Sequence, residues 1–287
     1  MKAQTIIVGL LLALISCKKT AEESTAQVAS LQSDSLAVKA TVVIKDSIST
    51  DPYIVFDNNK KNIELQLPTL TRVQANQLYE SYYDKNSVII SQIITKEAAI
   101  LEQFYSEEKT DQKNTLTLGQ KLKNHNLKYD EIGEGMVEVT TKTDFYYTLF
   151  SKYVTDDYKA YLYLQSEENK SMYAADAGLV ISFQELGERI VKWEKFLSHY
   201  PKSSLYDKVK ESYKYYQQDF IMGLDNTPTT ENATTESKYI YPENLQVFYA
   251  FAQKYPKSPT VHLITFFKEN FKNDDIQQLL KKEQEKL

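Results

Sequence analysis

Cysteine is almost absent from this chain of 287 residues, in which Cys17 is the only one. A single thiol excludes an intramolecular disulfide, so the folded chain must be stabilised by packing. Arginine is nearly as scarce, since Arg72 and Arg189 are the only two among 34 basic residues. The arginine clusters that usually recognise phosphate are therefore missing, and a net charge of −5 argues against a nucleic-acid partner.

Histidines and catalytic motifs are equally sparse. His125, His199 and His262 lie far apart and show no spacing typical of metal ligands, so we interpret them as structural or surface residues and predict no metal and no cofactor. The chain contains no Gly-x-Ser-x-Gly, P-loop or dinucleotide fingerprint. We therefore predict a protein that is not an enzyme.

Three pairs of carboxylates are adjacent in the sequence: Asp156 with Asp157, Glu167 with Glu168, and Asp274 with Asp275. Neighbouring residues of a helix diverge by about 100°. Such pairs do not converge on one substrate as a general acid and base do. We expect them to lie at helix starts and on solvated faces.

The N-terminus has the three parts of a secretory signal peptide. A positive Met1-Lys2 precedes an apolar run over residues 6–15, and the small Ser16 stands before Cys17. Ten apolar residues of helix reach about 15 Å, roughly half of a hydrocarbon core, so the run is too short for a transmembrane anchor. We expect residues 1–16 to be a signal peptide.

The string Leu14-Ile15-Ser16-Cys17 resembles the lipobox of bacterial lipoproteins. This resemblance implies cleavage before Cys17 and attachment of lipid to its sulfur and its new amino group. Several acyl chains together hold a protein stably on a membrane. Lys18 stands where an aspartate would favour inner-membrane retention, which implies an outer-membrane location; whether the protein faces the periplasm or the medium is left open.

The rest of the chain divides by composition. Residues 17–50 predict a flexible tether, 51–224 a helical domain, 225–238 an exposed low-complexity linker, and 239–287 a C-terminal helical hairpin. Short β-like runs at 41–44, 53–56 and 63–67 predict a small β ribbon or extended chain lying on the helices.

Helical periodicity dominates after Leu70. We predict the helices to include one marked by Val73 and Tyr82, a second beginning near Val88, and further ones near residues 116–123, 144–153, 156–164, 182–199 and 205–221. Two close glycines, Gly133 and Gly135, predict a turn before a strand at 136–140.

One motif occurs twice. Trp193, Phe196 and Tyr200-Pro-Lys-Ser are repeated as Phe248, Phe251 and Tyr255-Pro-Lys-Ser with the same aromatic spacing. Proline ends a helix and serine caps the next one. This pattern resembles the junction between helical hairpins in tetratricopeptide-type repeats, notably in outer-membrane assembly lipoproteins, and the stretch from Asp176 to Phe196 resembles uncharacterised bacterial lipoproteins. The resemblance implies helical hairpins of this type in the C-terminal half.

The stripe formed by Glu185, Arg189 and Trp193 is the first candidate for a ligand or partner contact. Its functional interpretation is a carboxylate–guanidinium pocket beside an aromatic ring, suited to a sugar or a peptide terminus. Its structural interpretation is a helix cap and an i,i+4 ion pair, with Arg189 stacked on Trp193. The 22 tyrosines likewise suit glycan stacking, a partner-binding face or ordinary core packing.

The sequence therefore predicts a mainly α-helical lipoprotein of the cell envelope, anchored through Cys17. Its most favoured role is non-enzymatic binding of a protein or peptide in grooves between helices. An enzyme acting on peptidoglycan or glycans and an inhibitor or immunity lipoprotein are the alternatives.

Overall fold

Helices form most of the computed structural model, which describes residues 50–133, 135–231 and 237–287. The mainly α prediction is confirmed. Ten α-helices occur in these residues: α1 Pro52–Gln66, α2 Arg72–Leu101, α3 Lys109–Asn124, α4 Phe145–Phe150, α5 Asp156–Glu168, α6 Phe183–His199, α7 Tyr206–Met222, α8 Pro242–Lys254, α9 Pro259–Asn270 and α10 Ile276–Gln284.

Strands contribute four antiparallel two-stranded ribbons to the described part of the chain. They pair β1 Leu127–Gly133 with β2 Met136–Thr141, β3 Ala174–Ala175 with β4 Gly178–Leu179, β5 Gly223–Leu224 with β6 Thr227–Pro228, and β7 Thr230–Glu231 with β8 Tyr239–Ile240. The predicted strand after Gly135 is thus present as β2, and its partner β1 was missed.

The β ribbon expected near residues 41–67 is wrong where the structure describes that range. Residues 53–56 and 63–66 belong to α1, and a 3-10 turn follows at Leu67–Thr69. The helix starts here because the Asp51 side chain accepts a hydrogen bond from the Tyr53 amide (3.0 Å) and Pro52 occupies the first turn. Residues 41–44 lie outside the described residues, as do the signal peptide, Cys17 and residues 17–49 of the tether.

A single helix of 30 residues, α2, replaces the two helices expected between Val73 and Phe104. It is about 45 Å long. Its buried stripe advances by steps of three or four residues and includes a polar member, Asn86, which is fully buried beside Tyr146. Val73 and Val88, expected on the apolar face, are instead exposed. None of the helices in the described residues is long and apolar enough to cross a membrane.

The predicted linker at 225–238 is not simply exposed. Thr229 is fully buried, its hydroxyl donates to the Ile221 carbonyl (2.7 Å) and its amide donates to the Met222 carbonyl (3.0 Å). Backbone carbonyls at the end of α7 therefore accept the hydrogen bonds of Thr229. Because its polar groups are paired, this threonine can be buried. After β8, the segment expected to form a hairpin holds three helices, α8 to α10.

The repeated motif has the same backbone geometry in both copies. Tyr200 ends α6 with φ −124° and ψ 55°, and Tyr255 ends α8 with φ −128° and ψ 58°. In each copy the serine amide three residues later donates to the tyrosine carbonyl at 3.0 Å. The sequence repeat is therefore a repeated helix–turn–helix junction, joining α6 to α7 and α8 to α9.

Helix α6 lies at the centre of the C-terminal half, where it packs against α5, α7 and α8. Its close approach to α8 depends on Gly187, because a Cβ at this position would lie 3.0 Å from the Phe251 ring and 3.3 Å from Phe220. Aromatic rings from these helices fill the space between them, among them Phe220 and Phe248 at 5.5 Å.

Replacing Gly223 tests the turn that ends α7. Its φ of +79° and ψ of −172° fall in a region that is essentially restricted to glycine, and a Cβ would lie 2.1 Å from the Thr227 carbonyl oxygen. We expect Gly223→Ala to lower the free energy of unfolding by about 3 kcal/mol, measured by urea denaturation. Gly135→Ala is the matched control, since Gly135 has the same φ but its nearest neighbour, Tyr105, is 3.7 Å away. An equal loss in the two variants would contradict the steric argument.

Candidate functional site

The stripe on α6 runs from the surface to the interior. Ser182 caps the helix by accepting a hydrogen bond from the Glu185 amide (3.1 Å), as its spacing predicts. Residues four apart share a helix face, so Glu185, Arg189 and Trp193 follow one another along it. Glu185 is exposed, whereas the exposed fractions of Arg189 and Trp193 are only 4% and 1%. The structure thus brings the three predicted residues together, with only the first one at the surface.

Glu168, at the end of α5, is the partner of this stripe. The Trp193 indole N–H donates to Glu168 Oε1 at 2.7 Å, and the Tyr216 hydroxyl of α7 donates to Oε2 at 3.0 Å. The residue is only 8% exposed. Burial raises the pKa of the Glu168 carboxyl above its ordinary value, although the two donors and the nearby Arg189 charge act in the opposite direction.

Arg189 joins α6 to the segment that follows α5. Its Nη2 donates to the Glu168 carbonyl (3.3 Å), to Ser171 Oγ (3.1 Å) and to Glu185 Oε1 (3.1 Å). The guanidinium lies 6.0 Å from the centre of the Tyr173 ring. The expected stacking of Arg189 on Trp193 is therefore wrong: the tryptophan binds Glu168, and the tyrosine ring faces the arginine.

These residues form one wall of a cleft of about 560 Å³, which we call the polar cleft. Its walls come from α2, the β1–β2 ribbon, α4, α5, α6 and α7. Its lining includes three tyrosines and three other polar or charged side chains: Tyr83, Tyr147, Tyr216, Gln165, Glu168 and Arg189.

The cationic side chains of the polar cleft have acidic partners. Lys128 pairs with Asp130 at 2.6 Å, and Lys170 pairs with Glu167 at 2.6 Å. Arg189 pairs with Glu185 at 3.1 Å. Because these positive charges are compensated locally, the cleft does not concentrate charge of either sign, and hydrogen-bonding groups dominate its chemistry.

A second concavity, of about 680 Å³, lies between α6, α7, the α8–α9 turn and the end of α10. We call it the basic groove. Its floor is largely apolar and includes Val191, Leu197, Tyr206 and Tyr213. Five lysines line it: Lys195, Lys210, Lys214, Lys254 and Lys257. In the described part of the chain, only Lys254 of these five has an ion-pair partner, Glu188 at 2.7 Å.

Glu194 is the acidic side chain among the residues that line this groove, and hydroxyl groups from neighbouring elements donate hydrogen bonds to its carboxylate. Its Oε1 accepts hydrogen bonds from the hydroxyls of Ser258 (2.5 Å), Thr260 (3.0 Å) and Tyr213 (3.0 Å). Gln217 extends this network by donating to the hydroxyls of Tyr213 and Thr260. Glu194 therefore holds the second copy of the repeated junction against α6. In the described residues it forms no ion pair with the groove lysines, so it does not neutralise their charge by direct contact.

Each of the three histidines has one short polar contact in the described residues. His125 lies 2.8 Å from Asp57, His199 lies 2.8 Å from the Lys195 carbonyl, and His262 lies 2.7 Å from Glu283. No cluster of three or more potential metal-ligating side chains occurs in the described residues. Cys17, the predicted lipidation site, lies outside them.

One expectation about the carboxylate pairs is wrong. Helix starts and solvated faces are expected for these pairs, but Glu168 is buried at the junction of three helices. The available signal was helical spacing, because Glu168 follows the buried Tyr161 by two turns and so shares its face. Sequence reasoning also missed the groove lysines, which come from three helices and a turn and have no common spacing along the chain.

No family model, curated protein or solved structure matches this chain. The role of the two concavities must therefore be argued from their own geometry.

Changing Glu168 to glutamine tests the buried carboxylate. Its pKa is raised in the fold, so protonation favours the folded state below pH 4.5, and that stabilisation is lost as pH rises through the folded pKa. We expect the stability of the unmodified protein to fall relative to Glu168→Gln between pH 4.5 and pH 8, measured by urea denaturation across that range. Glu211→Gln, which removes an exposed carboxylate on α7, should leave the pH dependence as it is. Parallel curves for the unmodified protein and Glu168→Gln would refute the assignment.

Proposed function

We propose that this chain is a lipid-anchored protein of the cell envelope, tethered through Cys17, that binds a peptide segment of a partner protein without catalysing a reaction. The anchor part of the proposal is supported by the signal-peptide pattern and by the lipobox-like string that ends at Cys17. The outer membrane is the proposed location, on the grounds of Lys18.

The basic groove is the observation that supports peptide binding. An apolar floor removes apolar side chains of a ligand from water, which is the main source of affinity in such sites. The lysines at its margin then add charge selectivity and faster association. A groove between helices with this combination suits an extended or helical segment that alternates apolar and acidic side chains.

Charge complementarity selects an acidic segment. The chain as a whole has a net charge of −5, yet the groove contains five lysines and one glutamate already engaged by three hydroxyls. Lys195, Lys210, Lys214 and Lys257 have no ion-pair partner in the described residues. The groove thus has a local excess of positive charge on a protein that is acidic overall. Carboxylates of a bound partner would neutralise this charge.

The contacts of the candidate acids favour binding over hydrolysis of glycans. Glycoside hydrolysis usually requires two carboxylates facing each other across the substrate. Glu185 instead pairs with Arg189, and Glu188 accepts hydrogen bonds from Lys254 and Tyr255. We therefore propose the binding role.

Reversing two groove charges tests the binding proposal. We expect a fluorescein-labelled peptide of alternating glutamate and leucine or alanine to bind the unmodified protein, and Lys210→Glu with Lys257→Glu to weaken the affinity by about 100-fold, measured by fluorescence anisotropy. Lys113→Glu with Lys123→Glu is the matched control, since these exposed lysines of α3 do not line the groove.

The same peptide with glutamine in place of glutamate should bind at least about tenfold more weakly, and higher salt should weaken only the acidic form. Equal affinity for the two peptides, or equal losses in the groove and control variants, would contradict the proposal.

Mass spectrometry of the protein isolated from a bacterial host tests the anchor. We expect a mature chain that begins at Cys17 and carries a diacylglyceryl group and an additional acyl group. Cys17→Ser removes the only sulfur that accepts the lipid, so this variant should leave the membrane fraction. An unacylated wild-type chain that retains residues 1–16 would refute the anchor while leaving the groove proposal intact.

A further inference from the structure

The polar cleft differs from the basic groove in both charge and surface chemistry. Its lysines and its arginine are paired with acids, whereas the groove presents lysines without such partners. An anion would therefore gain little in the cleft, because each positive charge there already has a carboxylate nearby. A neutral ligand with many hydrogen-bonding groups matches it better.

Aromatic rings supply flat apolar surface within the same cleft. The exposed Tyr83 ring packs against Tyr146 at 5.3 Å, and the Tyr173 ring packs against Tyr216 at 5.2 Å. Tyr147 also contributes to the lining. A saccharide ring has an apolar face of C–H groups and a rim of hydroxyls, so it can stack on a tyrosine ring while its rim reaches polar neighbours.

Several polar side chains of the cleft remain available to such a ligand. Gln165, Asn169, Thr141 and Thr143 line it, and in the described residues none of their side chains has a hydrogen-bond partner. An amide side chain donates two hydrogen bonds and accepts two, which matches the mixed donor and acceptor character of sugar hydroxyls. Glu168 and Arg189, which also line the cleft, are held by hydrogen bonds within the fold.

We propose that the polar cleft binds a neutral saccharide, stacked on Tyr83 or Tyr147 and hydrogen-bonded by Gln165 and Asn169. The volume of about 560 Å³ lies within the usual range for small-ligand sites, about 300–1,000 Å³, and suits one or two sugar rings. The site is separate from the peptide-binding groove, so each is tested without the other.

Trp193 gives this proposal a direct readout, because it is the only tryptophan in the chain and lies in the wall of the cleft. Maltose, cellobiose and N,N′-diacetylchitobiose are titrated into the full chain while the Trp193 emission is followed, and calorimetry is run in parallel. We expect at least one of these sugars to bind saturably with a Kd of about 1 mM or tighter.

Two double changes should each weaken that binding by about tenfold or more: Tyr83→Ala with Tyr147→Ala, and Gln165→Ala with Asn169→Ala. Tyr215→Ala is the matched control, since Tyr215 is exposed on α7 but does not line the cleft. Circular dichroism and urea denaturation confirm that each variant is folded.

Three results would overturn the proposal. One is no binding of any of the three sugars at concentrations about 50-fold above the expected Kd, by both readouts. Another is unchanged affinity in the folded cleft variants. The third is displacement of the bound sugar by the acidic peptide, because this would place both ligands in one site.

Discussion

The buried carboxylate of Glu168 is the constraint on which the C-terminal half depends. A carboxylate removed from water destabilises the fold unless donors surround it, and here they come from two other helices, through Trp193 of α6 and Tyr216 of α7. Arg189 then binds the backbone carbonyl of the same residue. Since all three contacts must form together, α5, α6 and α7 are held in one relative arrangement, and both concavities take their walls from that arrangement.

Helices α6 and α7 separate two surfaces of opposite chemistry. At about 100° per residue, Val191 in the basic groove lies roughly opposite Arg189 in the polar cleft along α6. On α7, Lys214 of the groove is likewise two residues from Tyr216 of the cleft. One helix pair thus presents unpaired lysines over an apolar floor on one side and paired charges with tyrosine rings on the other. This arrangement is what the two proposals require, because the proposed peptide and saccharide would then lie on opposite sides of one hydrogen-bonded wall.

The repeated junction explains how the groove is formed. Each copy ends a helix at a tyrosine, reverses at proline, and uses its serine hydroxyl to reach an acid on an earlier helix: Ser203 binds Asp157 of α5, and Ser258 binds Glu194 of α6. These contacts stack successive helix pairs, and the second one places lysines of α6, α7, the end of α8 and the α8–α9 turn around the basic groove. The sequence repeat therefore corresponds to a repeated local geometry, whereas its resemblance to tetratricopeptide-type junctions stays a prediction.

Local interactions were readable from the sequence alone: the cap of α6 at Ser182, the turn at Gly133, the helical class, and the equal geometry of the two Tyr-Pro-Lys-Ser junctions. Each depends on residues within a few positions of one another, so short-range patterns suffice. Tertiary structure decided the rest. Asn86 is buried because α2 crosses Tyr146, and Glu168 is buried because α6 and α7 supply its donors. Contacts between residues distant in the chain determine whether a polar side chain faces water, and they also assemble the groove lysines into one surface.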